Sequence, residues 1–315
     1  MPDARCFSLR ETAKKGTLKY MDNKKEKKVG FVLEGGGHRG IYTAGVLDVF
    51  QEEHIQADGV IGVSAGAIHG ASYVSGQKGR SVRYTTKYCT DKRYMGIGSL
   101  LRTGDYFNVD FCYHKLPDEL DPYDNDALER STVAFFVTCT DVKTGKAVYK
   151  QCRTLRGEGM SWLLASASMP LVSRIVRIDG QELLDGGIAD SIPLKAFEDR
   201  GYTNNIVVLT QTRGYQKKKN PMMPFIKLMY AKYPEFIKAS AERHVIYNQT
   251  LDTIEQKRKT GEIFVIQPSV ELGVSRVESD PQKIQDLYEL GRKDALEKLS
   301  ALKDFLKTEP IDTKN

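Results

Sequence analysis

Over the first two thirds of the chain, apolar residues come in short runs that end at glycines. Over the last third they spread out at helical spacing. VGFVLE (29–34) is an apolar, β-branched run and predicts a central strand. After a glycine-rich turn, IYTAGVLDVFQEE (41–53) carries Ile41, Ala44, Val46, Leu47 and Phe50 at helical spacing. ADGVIGV (57–63) predicts a second buried strand that ends at Ser64, and AGAIHGASYVSG (65–76) a helix of small residues. Two strand–tight turn–helix units in direct succession predict parallel strands in an α/β fold.

TVAFFVTCTD (132–141) is a third strong strand, and Thr144-Gly145 marks a hairpin turn after it. GMSWLLASASM (159–169) predicts a helix stopped by Pro170. RIVRIDGQELLDGG (174–187) predicts two short strands around Asp179-Gly180, and NIVVLTQT (205–212) another buried strand. The character then changes. QKKKNP reads as a polar linker. Residues 234–259 predict a long amphipathic helix with Ile237, Ala241, Val245, Leu251 and Ile254 on one side. EIFVIQP (262–268) is a strand. Residues 280–307 predict a helix with Asp280 as N-cap, Pro281 at its first position, and an apolar stripe through Ile284, Leu287, Leu290, Leu299, Leu302 and Phe305. The expected organisation is a polar arm over 1–28, a catalytic α/β unit over 29–212, and a mostly helical region over 213–315 packed on it.

At 315 residues, 40% hydrophobic and 28% charged, the composition is that of a soluble protein able to bury a substantial core. No run approaches the roughly 20 apolar residues of a bilayer-spanning helix. Residues 1–28 hold no apolar h-region, so neither a secretory signal nor a lipoprotein-type anchor at Cys6 is expected. The five cysteines form no C-x-x-C, which reads as reduced thiols in a cytoplasmic protein. Net charge is +6, partly in KKEKK (24–28), KKK (217–219) and KRK (257–259). These runs read first as solvated loops and helix ends, and second as weak attraction to anionic membrane surfaces. No basic stripe alternates with aromatics, so nucleic acid is not an expected partner. Nothing in the pattern specifies an oligomer.

Two motifs carry chemistry. Gly35, Gly36, Gly37 and Gly40 in GFVLEGGGHRG satisfy G-x-G-x-x-G, a turn that either cradles a dinucleotide pyrophosphate or holds an oxyanion. The dinucleotide reading wants an acidic residue at the end of the second strand; Asp58 precedes that strand, and Ser64 ends it. Gly62–Gly66 is G-x-S-x-G, with Ser64 between strand and helix, where a tight turn exposes a nucleophilic hydroxyl beside a helix N-terminus. A serine needs a base. His38 lies in the glycine loop, His69 on the helix after Ser64, His54 at the end of the first helix and His114 in a polar loop. His244 alone follows every candidate acid. It sits mid-helix, near the face of Ile237, and reads as a core or interface histidine. No histidine reads as a triad member. Asp185-Gly186-Gly187 follows a strand, and either presents its carboxylate to another turn or serves as an ordinary turn.

In this order, EGGGHRG (34–40), GVSAG (62–66), ASASMP (165–170) and DGG (185–187) resemble the motifs of patatin-like phospholipases. The resemblance covers roughly residues 29–212. It implies a three-layer α/β/α fold with a mainly parallel central sheet, and a Ser–Asp dyad without histidine. Carried onto this chain, Ser64 is the nucleophile, Asp185 its general base, and the N–H groups around Gly35–Gly37 the oxyanion hole. Arg39 takes the family's usual basic position, holding the loop or the oxyanion, and Gly40, Gly62, Gly66, Gly186 and Gly187 support the turns. Glu34 departs from the Asp often found there and, outside the glycines, is not expected to touch the chemistry.

The implied activity is hydrolysis of fatty-acyl esters through an acyl-enzyme, with no metal or cofactor. An acyltransferase would use the same residues, and a non-catalytic lipid-binding protein the same fold. Residues 84–116, rich in aromatics, either cap Ser64 with an acyl-binding groove or complete the core.

Overall fold

The computed structural model describes residues 27–307. All but the last two residues of the arm expected over 1–28, Cys6 included, lie outside them. Eight strands form one sheet: β1 (Val29–Leu33), β2 (Gly59–Val63), β3 (Ala134–Asp141), β4 (Ala147–Gln151), β5 (Val176–Ile178), β6 (Gln181–Asp185), β7 (Asn204–Val208) and β8 (Ile263–Ile266). The order is β5-β6-β3-β2-β1-β7-β8, with β4 paired to β3 as well. The five strands from β3 to β8 run parallel; β4, β5 and β6 join antiparallel.

Helices cover both faces. They are α1 (Ile41–Glu52), α2 (Ala65–Val74), α3 (Arg80–Tyr88), α4 (Ile97–Thr103), α5 (Asn125–Arg130), α6 (Glu158–Ala167), α7 (Leu194–Glu198), α8 (Met223–Met229), α9 (Pro234–Thr260), α10 (Pro281–Glu297) and α11 (Leu299–Lys307). Strand alternation divides the core. Phe31, Leu33, Val60, Ile206 and Val208 face a cluster with residues of α1, α2 and α10, whereas Val32, Ile61 and Val207 face Leu194, Phe197, Tyr247 and Ile254 of α7 and α9. A strand buried on both faces explains the unbroken apolar runs of β1, β2 and β7. α10 lies so close on α1 that a Cβ on Gly45 would stand 2.1 Å from the Tyr288 carbonyl oxygen, and one on Gly291 2.1 Å from that of Tyr42.

The sheet crosses the boundary drawn from composition after residue 212: β8 is its edge strand, paired with β7. Two expectations about this region change. The stripe on α9 is rotated in part: Ile237, Leu251 and Ile254 pack inward as expected, Ala241 and Val245 do not. Phe236, Ser240, Tyr247 and Ile254 are buried, while Val245 is 45% exposed and Ala241 is exposed too. Two polar residues, Ser240 and Arg243, occupy the inward face, so counting only apolar positions misses its phase. The helix expected over 280–307 breaks at Lys298, and α11 turns to bring Phe305 against Phe264, with ring centroids 5.7 Å apart. Its N-terminus is as expected: Asp280 accepts hydrogen bonds from the N–H groups of Gln282 and Lys283.

Candidate active site

The glycine turn, Ser64 and Asp185 all stand at one end of the sheet. β1 and β2 deliver the first two at their C-terminal ends, where ligands bind in open α/β sheets. β6 delivers Asp185 beside them, opposite Cys139 of β3. Ser64 has φ 53° and ψ −122°, a left-handed conformation in a residue that is not glycine. Such strain persists only where the surroundings hold it. Close packing holds it here: a Cβ at Gly62 would stand 2.5 Å from the Ala67 nitrogen, and one at Gly66 2.5 Å from the Leu33 carbonyl oxygen.

The end of α6 fixes both Ser64 and Asp185. Ser166 Oγ, fully buried, accepts the Ser64 N–H at 2.8 Å and donates to the Thr138 carbonyl at 2.7 Å. Two residues on, the Ser168 carbonyl accepts the Asp185 N–H at 2.8 Å. Asp185 is oriented further by the Gly187 N–H, which donates to its Oδ1 at 2.7 Å. Burial pushes the Asp185 carboxyl above its ordinary pKa; the Arg243 charge, the Gly187 N–H and the Ser64 hydroxyl oppose that shift. Ser64 and Asp185 line one cavity, without a hydrogen bond of ordinary geometry between their side chains in this conformation.

The N–H groups of Gly35, Gly36 and Gly37 donate to no described protein acceptor. The His38 N–H does: it donates to the Arg276 carbonyl at 3.0 Å. His38 Nδ1 donates to the Glu278 carbonyl at 2.6 Å, so a loop from the C-terminal region lies on the turn. Gly37, at φ 58°, is required twice over, because a Cβ there would also stand 2.4 Å from the Arg276 carbonyl oxygen.

No histidine takes the place of Asp185. His69 is held neutral, its pKa pushed down to about 3 mainly by burial, and its Nδ1 meets Ser81 Oγ at 2.9 Å. His244 is partly exposed, with Nδ1 3.0 Å from the Ala241 carbonyl; the expected core position is not where it lies, because the helix face is rotated. Glu34 does more than its place outside the glycines suggests. Its buried carboxylate accepts from the Thr210 N–H at 2.6 Å and from the Tyr247 hydroxyl at 2.6 Å, tying α9 to the glycine turn.

The family model for patatin-like phospholipases matches residues 31–198, more than half of the chain. The chain belongs to the patatin-like phospholipase family. Residues 233–307 match a second model, a domain of unknown function. The uncharacterised protein YjjU of Escherichia coli is 29% identical over 58% of this chain and 52% of its own length. Lysophospholipase NTE1 of Candida glabrata is 22% identical over 84% of this chain and 15% of its own. This patatin-like chain therefore spans about half of YjjU and less than a fifth of NTE1. The solved structure of VipD from Legionella pneumophila aligns with 88% of this chain and 67% of its own, at 13% identity and a TM-score of 0.44.

Two cavities meet at Ser64 in this patatin-like fold. One, with about 1090 Å³ of empty space counted out to its mouth, is walled by apolar and aromatic side chains including Ile68, Tyr94, Phe107, Tyr113, Leu116 and Leu163. Of the two expectations for residues 84–116, completion of the core holds for Tyr84, Tyr94 and Leu116, which also line this cavity. The other, with about 950 Å³ of empty space counted in the same way, is the more polar of the two and holds Arg39, Lys217, Arg243 and Arg276 beside Asp185. Composition gave no sign of it. Lys217 reads as part of a solvated run, yet its ammonium lies 4.0 Å from the centre of the Tyr247 ring, while Lys218 and Lys219 are exposed. Arg243 hides on a helix face read as polar. Its Nε donates to the Gly187 carbonyl.

Proposed function

We propose that this protein hydrolyses acyl esters of lipids, with Ser64 as nucleophile and Asp185 as general base. The observation that carries this reading is the meeting, at one end of the sheet, of a strained serine, a buried carboxylate with a raised pKa, and three unpaired glycine N–H groups. Ionised Asp185 takes the Ser64 proton as Oγ attacks the ester carbonyl carbon. The carbonyl oxygen gains the negative charge and receives the free N–H groups of Gly35–Gly37, each such donor worth about 3 kcal/mol. The tetrahedral intermediate collapses, Asp185 returns the proton to the leaving alcohol, and the acyl group stays on Ser64. Water then attacks with Asp185 again as base, and Ser64 is released with the fatty acid. The raised pKa of Asp185 makes it a better proton acceptor than an exposed aspartate.

The apolar cavity suits the acyl chain. Access from a lipid surface fits α8, whose Phe225, Leu228 and Met229 are 58%, 80% and 62% exposed next to Met222 and Ile226 of the polar cavity's wall. Exposed lysines on the same stretch, Lys218, Lys219 and Lys227, favour an anionic surface.

The test is a panel of esters varying in chain length and head group. Ser64→Ala and Asp185→Asn are expected to lose hydrolysis and His244→Ala to keep most of it. An organophosphonate is expected to label wild type stoichiometrically at Ser64. Near-complete loss in a stable His244→Ala variant would sink the dyad, and a folded wild type that takes no label would argue for a binding protein.

A further inference from the structure

An arginine on the inward face of a helix is costly to bury without a partner. Arg243 stands on that face of α9, one turn before Tyr247, and is half-buried. Among the described residues it makes no ion pair. Its Nε donates instead to the Gly187 carbonyl, in the turn that carries Asp185. Ser191 Oγ donates to the same carbonyl at 2.7 Å, so that oxygen does not depend on Arg243 for a partner. Hydrogen bonding alone leaves the charge without a reason.

The charge meets Asp185. A Cβ on Gly187 would stand 3.0 Å from Asp185 Oδ1 and 3.1 Å from Arg243 Nη2, so the carboxylate and the guanidinium flank one small space. An opposite charge within about 4–6 Å favours the ionised form of a carboxylate. Burial raises the pKa of Asp185, and Arg243 is the first influence to oppose it, ahead of the Gly187 N–H, the Ser64 hydroxyl and Arg276. The relation is mutual: burial pushes the Arg243 pKa down, Asp185 opposes that first, and Arg276 adds to the fall.

The other groups around the carboxylate hold their charge state while it titrates. Cys139 of β3 and Tyr113 are neutral, each pushed well up by burial. Arg39, Arg276 and Lys217 line the same cavity, and Lys217, pushed down to about 7 mainly by burial, is still charged in acid. Glu34, the second carboxylate bearing on Arg243, is bonded to Thr210 and Tyr247.

We propose that Arg243 is a positioning residue for the general base. Its bond to Gly187 fixes the turn whose N–H holds Asp185 Oδ1, and its charge beside the carboxylate keeps Asp185 ready to take the Ser64 proton. Tyr247, one turn along α9, ties down Glu34 at the glycine turn. The helix thereby holds the glycine turn and the turn of the base at one spacing, which gives residues 233–307, matched as a domain of unknown function, a part in the site. The proposal rests on the hydrolase reading for what Asp185 does, but not for the coupling between Arg243 and Asp185.

The acid limb of kcat/KM on a p-nitrophenyl ester separates this role from a plain tether. Arg243→Gln removes the charge and is expected to move the limb up by about one pH unit, which is about tenfold in rate on the limb and far less on the plateau. Arg243→Lys restores the charge and should bring the limb back, with kcat still below wild type because the planar fork at Gly187 is lost. Ser191→Ala removes the other donor to Gly187 without removing a charge, and its limb should not move. A limb that stays in place in Arg243→Gln, or moves equally in Arg243→Gln and Arg243→Lys, would overturn the proposal.

Thermal unfolding against pH reads the coupling without turnover. Loss of Arg243 lifts the folded-state pKa of Asp185 further above its unfolded value, so stability falls with rising pH over a wider window. The Tm deficit of Arg243→Gln against wild type should grow from about pH 4 to about pH 6 and cease to grow when both chains carry Asp185→Asn. A deficit with the same pH course in both backgrounds would refute the coupling. If wild type cleaves no ester, growth that disappears with Asp185→Asn leaves the coupling standing and removes the hydrolase reading instead.

Discussion

Ser166→Ala is the sharpest test of how the site is held. The substitution removes one oxygen from a fully buried position, and with it a 2.8 Å bond from the Ser64 N–H and a 2.7 Å bond to the Thr138 carbonyl. No water replaces them in a packed interior. The Ser64 N–H is stranded, at about 1–3 kcal/mol for a buried unsatisfied donor. The lost anchor is also one of the restraints on a left-handed serine, a conformation that stores about 1–3 kcal/mol. For a chain of this size Tm moves by about 2–4 °C per kcal/mol, so a fall of roughly 2–12 °C is expected. Activity is expected to suffer further, because a displacement of about 1 Å at a nucleophile lowers the rate on the order of 100-fold. Calorimetry and steady-state kinetics on a short p-nitrophenyl ester give both quantities, and kcat should fall with KM nearly constant. A variant that melts within a degree of wild type and turns over within twofold of it would refute the reasoning that Ser166 supports Ser64.

Asp185→Asn is expected to abolish hydrolysis yet raise Tm near neutral pH. The folded-state pKa of Asp185 lies above its ordinary 3.8, so between those values the native state binds more protons than the unfolded one, and stability falls as pH rises through that window. Asn escapes that fall. The Tm difference between variant and wild type should therefore be small near pH 3.5 and grow above it, and parallel profiles would contradict the assignment. The acid limb of kcat/KM should likewise lie above 3.8, read from a pH–rate profile. Gly37→Ala, at φ 58° and facing the Arg276 carbonyl, should lose at least about 1–2 kcal/mol in urea unfolding and most of its ester turnover. Glu34→Ala strands the Thr210 N–H and the Tyr247 hydroxyl, about 1–3 kcal/mol each, measurable in the same titration.

Much of the fold was readable because both faces of β1, β2 and β7 are buried, which writes unbroken apolar runs between glycines. Turn chemistry did the rest: Thr144-Gly145 and Asp179-Gly180 each sit between paired antiparallel strands. The phase of α9 was only partly readable, since its inward face carries the polar Ser240 and Arg243, and the break at Lys298 has no glycine or proline to announce it. At the site, Ser64 stands out because strand, turn and helix adjoin in sequence. Asp185 did not stand out alone, because its neighbour Ser64 lies far away along the chain and only pairing of β6 with β3 brings it close. The serines of ASASMP gave no local signal for a related reason. Their partners, Ser64, Thr138 and Asp185, come from the end of β2, the middle of β3 and the end of β6. The basic cavity was the least visible, as its four cations come from four separate segments.

The backbone bond from His38 to Arg276 also sets an order in time. The turn that would receive the oxyanion is made early in synthesis, but the loop that lies against Gly37 and takes the His38 N–H comes more than 230 residues later. A nascent chain that has finished β7 already carries Ser64 and Asp185, yet lacks β8, Tyr247 and the Arg276 segment. Its glycine turn has not acquired its last neighbours. A chain cut at residue 212 is in the same condition, so trimming to the recognisable motifs should keep Ser64 and Asp185 but leave the glycine turn without its last neighbours.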